Sequence, residues 1–507
     1  MALGRTLSTA QQGVHAIVIR VEANVGPGLP GTFVVGMADT AISESRDRIK
    51  TAVQNSSLQW PKTKVIINLS PASMRKHGSQ LDLAMALAVL VANHPSPEVR
   101  YRAQHTLFLG EVALDGALVP VSGVLPALLA AREEGIETVI IPEGNAAEAG
   151  LVDYPTVRLA SSLDQVLRWL EGEEHLETPI PFTSGNQDGG PDMRDVIGQP
   201  EARFAAEVAA AGGHHMLMIG PPGSGKSMIA ERLPGLLPAL NLKQRIEVTA
   251  VHSVVGRTFS GPISTAPFIA PHHSVSKAAL LGGGSGSPLP GAVSLAHHGV
   301  LFLDEISEIP ASILDTLRTP LECGSVRIVR SRHDVTFPAQ FQLVLAANPC
   351  RCGAEQAHEC KCTGASRATY LNNLSGPLRD RLDIVVATRS KGGVLRSDDS
   401  ESSETIAQRV AGARDRSRIR WSHQELNATV NAYVDPHFLR RHFPASDDAM
   451  AYLSAFLAEG TISQRGCDRA LKLAWTLCDL DGDDQPNLDH IARAIDLRGS
   501  TYGEVLV

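Results

Sequence analysis

Apolar positions recur along this chain at two spacings, and the spacing changes from one region to the next. Short apolar or alternating runs at Ala16–Val21, Thr32–Val35 and Lys64–Leu69 predict strands, and helical recurrence over Thr40–Gln54 and Leu81–Val91 predicts helices. A strand at Thr106–Glu111, a helix through Val124–Gly135 and a strand at Thr138–Pro142 extend a first mixed α/β unit, residues 1–177. Gly26-Pro27-Gly28-Leu29-Pro30-Gly31 predicts a hairpin-like turn. Residues 178–192, which contain Thr183–Pro191, are rich in turn formers and read as a linker. In the next unit, residues 193–390, an alanine-rich helix from Pro200 precedes three apolar strands, Met216–Ile219, Val300–Leu303 and Phe341–Ala347. Residues 391–404 are a Ser/Asp/Glu-rich insertion predicted to be disordered. Residues 405–507 read as helical: Ile406–Trp421, Pro436–Arg441, Asp447–Leu457, Ser463–Cys478 and Leu488–Ala494, with Asp479–Asp484 as an acidic turn.

The first strand of the second unit breaks into Gly220-Pro221-Pro222-Gly223-Ser224-Gly225-Lys226-Ser227, a match to G-x-x-x-x-G-K-[ST] between a strand and a helix. Glycines let backbone N–H groups converge on a polyphosphate, and the helix start favours the same charge. Lys226 can reach β- and γ-phosphate oxygens, and the Ser227 hydroxyl can ligate Mg²⁺. ATP and Mg²⁺ are therefore the expected ligands.

The strand at Val300–Leu303 ends in Asp304 and Glu305. Downstream of a phosphate loop this pair reads as a Walker B element, with Asp304 holding Mg²⁺ and Glu305 polarising the attacking water. The third strand ends in Asn348, whose amide suits contact with the γ-phosphate and water. Arg381, in Gly376–Ile384, is expected as an arginine finger that neutralises charge on a neighbouring subunit's γ-phosphate. Arg465 is expected as a second sensor, and Arg469, one turn on, is a weaker choice.

Two further clusters bear chemistry. Cys350-Arg-Cys352 and Cys360-Lys-Cys362 could supply four thiolates to a structural Zn²⁺, His358 could replace one ligand, and disulfides or free thiols are the alternatives. The other cysteines, Cys323, Cys467 and Cys478, read as buried apolar fillers. Alternation around Ser331–Asp334 predicts a β-hairpin with Arg327, Arg330, Arg332 and His333 near its tip. These arginines either grip DNA phosphates in a central channel or form a solvated polar tip. His272 and His273, with Gly282–Gly286, predict a second mobile loop whose histidines make hydrogen bonds rather than hold a metal.

Composition narrows the setting. The net charge of −8 excludes a surface coated for nucleic acid but leaves room for a local basic lining. No apolar run approaches a membrane span, so the expected location is the cytoplasm with no membrane partner. An odd cysteine count of seven, four of them tightly grouped, opposes a disulfide framework.

Phe108-Leu-Gly-Glu-Val, Val119-Pro-Val-Ser-Gly-Val and Thr138-Val-Ile-Ile-Pro-Glu-Gly-Asn resemble the proteolytic domain of Lon-type proteases. Where that family has its serine and lysine this chain has Gln80 and Leu125, which can neither attack nor take a proton, so no peptidase activity is expected. Arg20–Gly31, Ala270-Pro-His-His-Ser, Ser294–Glu305 and Ala346-Ala-Asn-Pro-Cys resemble the YifB/ComM family of Mg-chelatase-like AAA+ ATPases over nearly the whole chain. One departure is Arg379, where that family leads one to expect an apolar residue. The resemblance implies an α/β P-loop AAA+ motor with an inactive Lon-like N-terminal domain and a C-terminal helical lid that closes over the nucleotide. It further implies a hexameric ring that drives DNA branch migration on branched or single-stranded DNA. The alternative is an ATP-driven protein-remodelling motor similar to the Mg-chelatase I subunit, and a nucleotide-gated scaffold is a third reading.

Overall fold

Seven strands of the N-terminal region form one mixed sheet in the spatial order Gly31–Val35, Lys64–Ser70, His15–Gly26, Ala2–Gln12, Thr106–Phe108, Thr138–Pro142, Thr156–Ala160. The computed structural model describes residues 2–36, 40–72, 76, 78–182, 190–257, 261–284, 287–330, 333–354, 360–363, 374–389, 400–424 and 428–499. The expectations for His358, Ser331 and Arg332, for residues 183–189 of the linker, for Ser285 and Gly286, and for 391–399 of the insertion lie outside the described residues, as does the side chain of His333.

The glycine- and proline-rich turn does not close a hairpin. Lys64–Ser70 inserts between the strands on either side of it, antiparallel to His15–Gly26 and parallel to Gly31–Val35. The long strand Ala2–Gln12 carries no apolar alternation, and its pattern gave no sign of it. Its buried face is polar: the Thr6 hydroxyl donates to the Ala84 carbonyl and the Ser8 hydroxyl to the Phe108 carbonyl, each at 2.8 Å. Satisfied in this way, buried hydroxyls carry little desolvation penalty. The neighbouring helix Asp82–Ala92 is apolar almost all round, and all but one of its residues are buried.

The second sheet is parallel, in the order Phe268–Ile269, Val300–Leu303, Gln342–Ala347, Met216–Ile219, Ile384–Ala387. The phosphate-loop strand is therefore separated from the Walker B strand by the strand that ends in Asn348. Period-two alternation sends Leu217, Ile219, Leu301, Leu303, Leu343 and Leu345 into one core. Met216, Met218, Val300, Phe302, Val344 and Ala346 enter the other, which they share with helices Pro200–Gly212, Ser403–Ser422 and Gln464–Asp481. The C-terminal helices thus cover one face of the motor sheet. Trp421, Trp475 and Phe443 meet edge to face within that core, with centroids 5.2–6.1 Å apart.

Two expectations change. Helix Gln464–Asp481 runs into the acidic stretch expected as a turn, because buried Asp479 is held by Arg420 and by Asn431. Cys467 and Cys478 are buried, but Cys323 is exposed and fills no core.

The N-terminal region meets the motor through helix Val124–Glu133 and helix Leu242–Val254. Leu125, in place of the Lon-type lysine, is fully buried against Ala250, and burying such a side chain contributes about 2 kcal/mol. The Ser253 hydroxyl donates to Glu148 at 2.6 Å, and the Gly123 N–H donates to the Ser253 carbonyl at 3.0 Å. The Ser79 hydroxyl hydrogen bonds to the Glu111 carboxylate. Leu125 thus packs where the N-terminal region meets helix Leu242–Val254.

Candidate active site

Ligands of parallel sheets sit beyond the carboxyl ends of the strands, and the expected residues gather there. Gly220 leaves its strand beneath Thr388, where a β-carbon would lie 2.0 Å from the Thr388 hydroxyl oxygen, so only glycine fits. Pro221, Pro222, Gly223 and Ser224 carry the turn, and the Ser224 and Thr388 hydroxyls hydrogen bond at 2.6 Å. Gly225, at φ +87°, caps the helix Lys226–Arg232 in the left-handed region. The Lys226 ammonium donates to the Gly220 carbonyl at 2.7 Å, the Pro221 carbonyl at 2.9 Å and Asn348 Oδ1 at 3.1 Å. Burial pushes its pKa below the ordinary lysine value, against the pull of Asp304 and Glu305. Polyphosphate oxygens would take the place of these carbonyls as acceptors.

The Ser227 hydroxyl donates to Asp304 Oδ2 at 2.8 Å, which brings together the two oxygen donors expected to hold Mg²⁺. A hydroxyl and a carboxylate are hard donors, a pairing that suits Mg²⁺ bound jointly with substrate phosphates. When bound there, the ion would neutralise developing phosphate charge. Glu305 adopts φ +48°, and its carboxylate meets His273 Nδ1 at 3.1 Å. That contact was not predicted. It arises because His273 follows the strand Phe268–Ile269, which pairs directly with the Walker B strand. His272 bonds to the Ser274 hydroxyl at 2.8 Å, while His273 faces the Glu305 carboxylate. Thr388 was also missed, since nothing in its local sequence marks it.

Arg381 and Arg465 lie elsewhere. Asp383 precedes the strand Ile384–Ala387, level with His215, whereas Thr388 at the far end reaches the phosphate loop. The five residue steps from Asp383 to Thr388 separate these ends by about 16 Å. Arg381 pairs with Glu322 and donates to the Pro377 carbonyl at 2.5 Å. Arg465 is exposed, with Asp380 3.7 Å away. Arg469 bonds to Asp383 and, at 3.0 Å, to the Arg381 carbonyl. The C-terminal helices therefore carry Arg465 to the opposite end of the sheet from this chain's own phosphate loop. Burial alone would raise the Asp383 pKa. Arg469, His214 and His215 outweigh it and hold this carboxyl well below the usual range.

The hairpin forms as expected, Ser325–Arg330 against His333–Pro338. Arg327 is tied to Asp334 on the facing strand, which cancels its charge, whereas Arg330 donates to the Gly284 carbonyl at 2.6 Å. Hairpin and glycine loop thus touch. Cys350, Cys352, Cys360 and Cys362 also converge, all four sulfurs within 4.8 Å of one another.

A second group, Glu247, His297 and His298, is equally compact. There the Gln340 N–H donates to His297 Nδ1 at 3.1 Å, which puts the proton of neutral His297 on Nε2, facing Glu247. With its proton there, Nε2 offers no lone pair to a metal, and Glu247 Oε2 meets His298 Nε2 at 2.7 Å. No helix among the described residues is long and apolar enough to cross a membrane.

Comparison with known proteins agrees with this geometry. Three family profiles match: magnesium chelatase subunit ChlI at residues 192–393, subunit ChlI of Mg-chelatase at 21–145, and the ChlI C-terminal region at 400–498. An uncharacterized protein of Mycobacterium tuberculosis is 47% identical over 98% of this chain and 99% of its own length. YifB of Escherichia coli is 37% identical over 98% of this chain and 97% of its own, and competence protein ComM of Haemophilus influenzae 36% over 98% of each. The likeness to Lon is partial: Lon protease 2 of Thermus thermophilus is 28% identical over 30% of this chain and 20% of its own length.

Proposed function

Because the chain belongs to the Mg-chelatase ChlI-like family of AAA+ ATPases that includes YifB and ComM, we propose that it is a cytoplasmic ring motor, with six subunits, that hydrolyses ATP to move DNA strands. One observation carries the ring. The phosphate loop and the group Arg381, Arg465 and Arg469 occupy opposite ends of one parallel sheet. A head-to-tail neighbour can bring its arginine end to this chain's phosphate end, and such a heterologous contact closes into a ring when its rotation permits.

Within the site, Lys226 and the loop N–H groups bind the β- and γ-phosphates. Ser227 and Asp304 hold Mg²⁺. Glu305, released from His273, orients and polarises water for attack on the γ-phosphorus, while Asn348 positions that water. Arg381 from the neighbour neutralises charge on the transferring group, and Arg465 senses the same phosphate. DNA as the cargo is supported by Arg330 on an exposed hairpin braced against the glycine loop, and by the likeness to a competence protein. The four-thiol cluster is read as a structural Zn²⁺ site.

The test is ATP turnover and strand exchange on forked and four-way DNA, with Glu305→Gln as the inactive control. Arg330→Glu is expected to abolish stimulation by DNA while nucleotide binding persists. Undiminished stimulation would remove the hairpin from the mechanism. Stimulation by a protein instead of DNA would favour a protein-remodelling motor.

A further inference from the structure

We propose that metal held by the four cysteines fastens the phosphate loop, so that Zn²⁺ occupancy and nucleotide affinity are linked. This rests on the zinc reading and adds a role to it. Cys350 and Cys352 sulfurs stand 3.2 Å apart, Cys350 and Cys360 3.4 Å, and Cys352 and Cys360 3.5 Å. All four cysteines are free thiols. Thiolates at about 2.3 Å from a tetrahedral Zn²⁺ stand about 3.8 Å from one another, so an ion would spread these three sulfurs by only a few tenths of an ångström, with the fourth already within 4.8 Å of each. Four soft donors leave no open coordination position, which assigns the ion a mechanical rather than a catalytic role.

Position gives the cluster its second property. Cys350 follows Asn348 by two residues, and Asn348 Oδ1 accepts from Lys226. The turn closes with the Gly353 N–H donating to the Cys350 carbonyl at 3.0 Å, and Gly353 adopts φ +71°. A β-carbon on Gly353 would lie 2.7 Å from Pro222 Cδ, so this turn lies flush on the phosphate loop. The first two metal ligands thus belong to a segment that touches both the loop's proline and its lysine. Thiols are weak hydrogen-bond donors, and without metal they hold the two C-x-C segments together poorly. A loosened turn raises the ordering cost of nucleotide binding. Linkage is reciprocal, so bound nucleotide must tighten Zn²⁺ by the same factor.

The experiment uses the full chain. Elemental analysis is expected to find one Zn²⁺ per chain, and Cys362→His, which keeps four donors, to retain it where Cys362→Ala does not. Stripping the metal is expected to raise the Kd for a fluorescent ADP at least tenfold, with recovery on adding Zn²⁺. On the native protein, saturating ADP is expected to slow Zn²⁺ capture by a chromogenic chelator. Pro222→Ala, which removes the contact with Gly353, should lose that protection. The capture rate needs no stable stripped chain, so it decides the matter even if metal-free protein unfolds. No Zn²⁺ after reconstitution would overturn the zinc reading itself. Bound Zn²⁺ with a capture rate indifferent to ADP would leave the metal site standing and overturn the link.

Discussion

Two inactive variants, mixed, report whether hydrolysis is completed across subunits. Glu305→Gln removes the carboxylate proposed to polarise water and leaves the arginine end of the sheet intact. Arg381→Ala does the reverse. An arginine finger is worth about 10³-fold or more in turnover, so Arg381→Ala alone should be nearly silent, as should Glu305→Gln. Arg381 cannot serve its own site, because the sheet separates it from Thr388 and the loop by about 16 Å, and an extended arginine spans roughly half that. Its partner Glu322 is 61% exposed but the Arg381 side chain itself only 13%, so denaturant unfolding first checks that Arg381→Ala folds. In an equal mixture that has exchanged subunits, an interface is complete when its phosphate end comes from Arg381→Ala and its arginine end from Glu305→Gln. Each choice has a chance of one half, so about a quarter of wild-type turnover should return. Phosphate release at saturating ATP reads the result. If the mixture stays at the average of its silent components, or Arg381→Ala is fully active alone, the two-ended site is wrong.

Two further outcomes follow from named contacts. The His273–Glu305 contact joins side chains that are 38% and 50% exposed, so it restrains Glu305 by at most about 1 kcal/mol. His273→Ala should therefore raise DNA-free ATP turnover by up to about fivefold, and slower turnover would contradict the restraint. Asp383→Asn leaves Arg469 and His214 facing a buried amide and should cost about 3–5 kcal/mol at neutral pH, read by denaturant unfolding. The folded-state pKa of Asp383 lies well below its unfolded value of 3.8, so this contribution is fully present above that value and is lost as pH falls through the folded one. The gap between wild type and variant should close only under strong acid, and a gap that closes above about pH 5 would refute this account of Asp383.

The sequence by itself determined the chemistry of the phosphate end. Gly220 to Ser227 follow one apolar strand, Asp304 and Glu305 a second, and Asn348 a third that is apolar but for Gln342, and parallel pairing of the three brings those ends together. The hairpin and the C-terminal helices were legible for the same reason: period-two and helical recurrence are local properties of the chain. What only tertiary structure decided is where distant segments meet. Strand Ala2–Gln12 escaped notice because its buried face is satisfied by hydroxyl-to-carbonyl bonds from distant partners, a solution that leaves no apolar pattern. The same holds for Thr388 over Gly220, for His273 on Glu305 and for Leu125 against the motor helix. The lid was expected above the nucleotide, but helix Gln464–Asp481 shares a core with Pro200–Gly212, and that packing carries Arg465 to the other end of the sheet. A single chain carries the phosphate loop at one end of this sheet and the arginines at the other. The sheet holds them apart, because side chains cannot reach across the length of its strands.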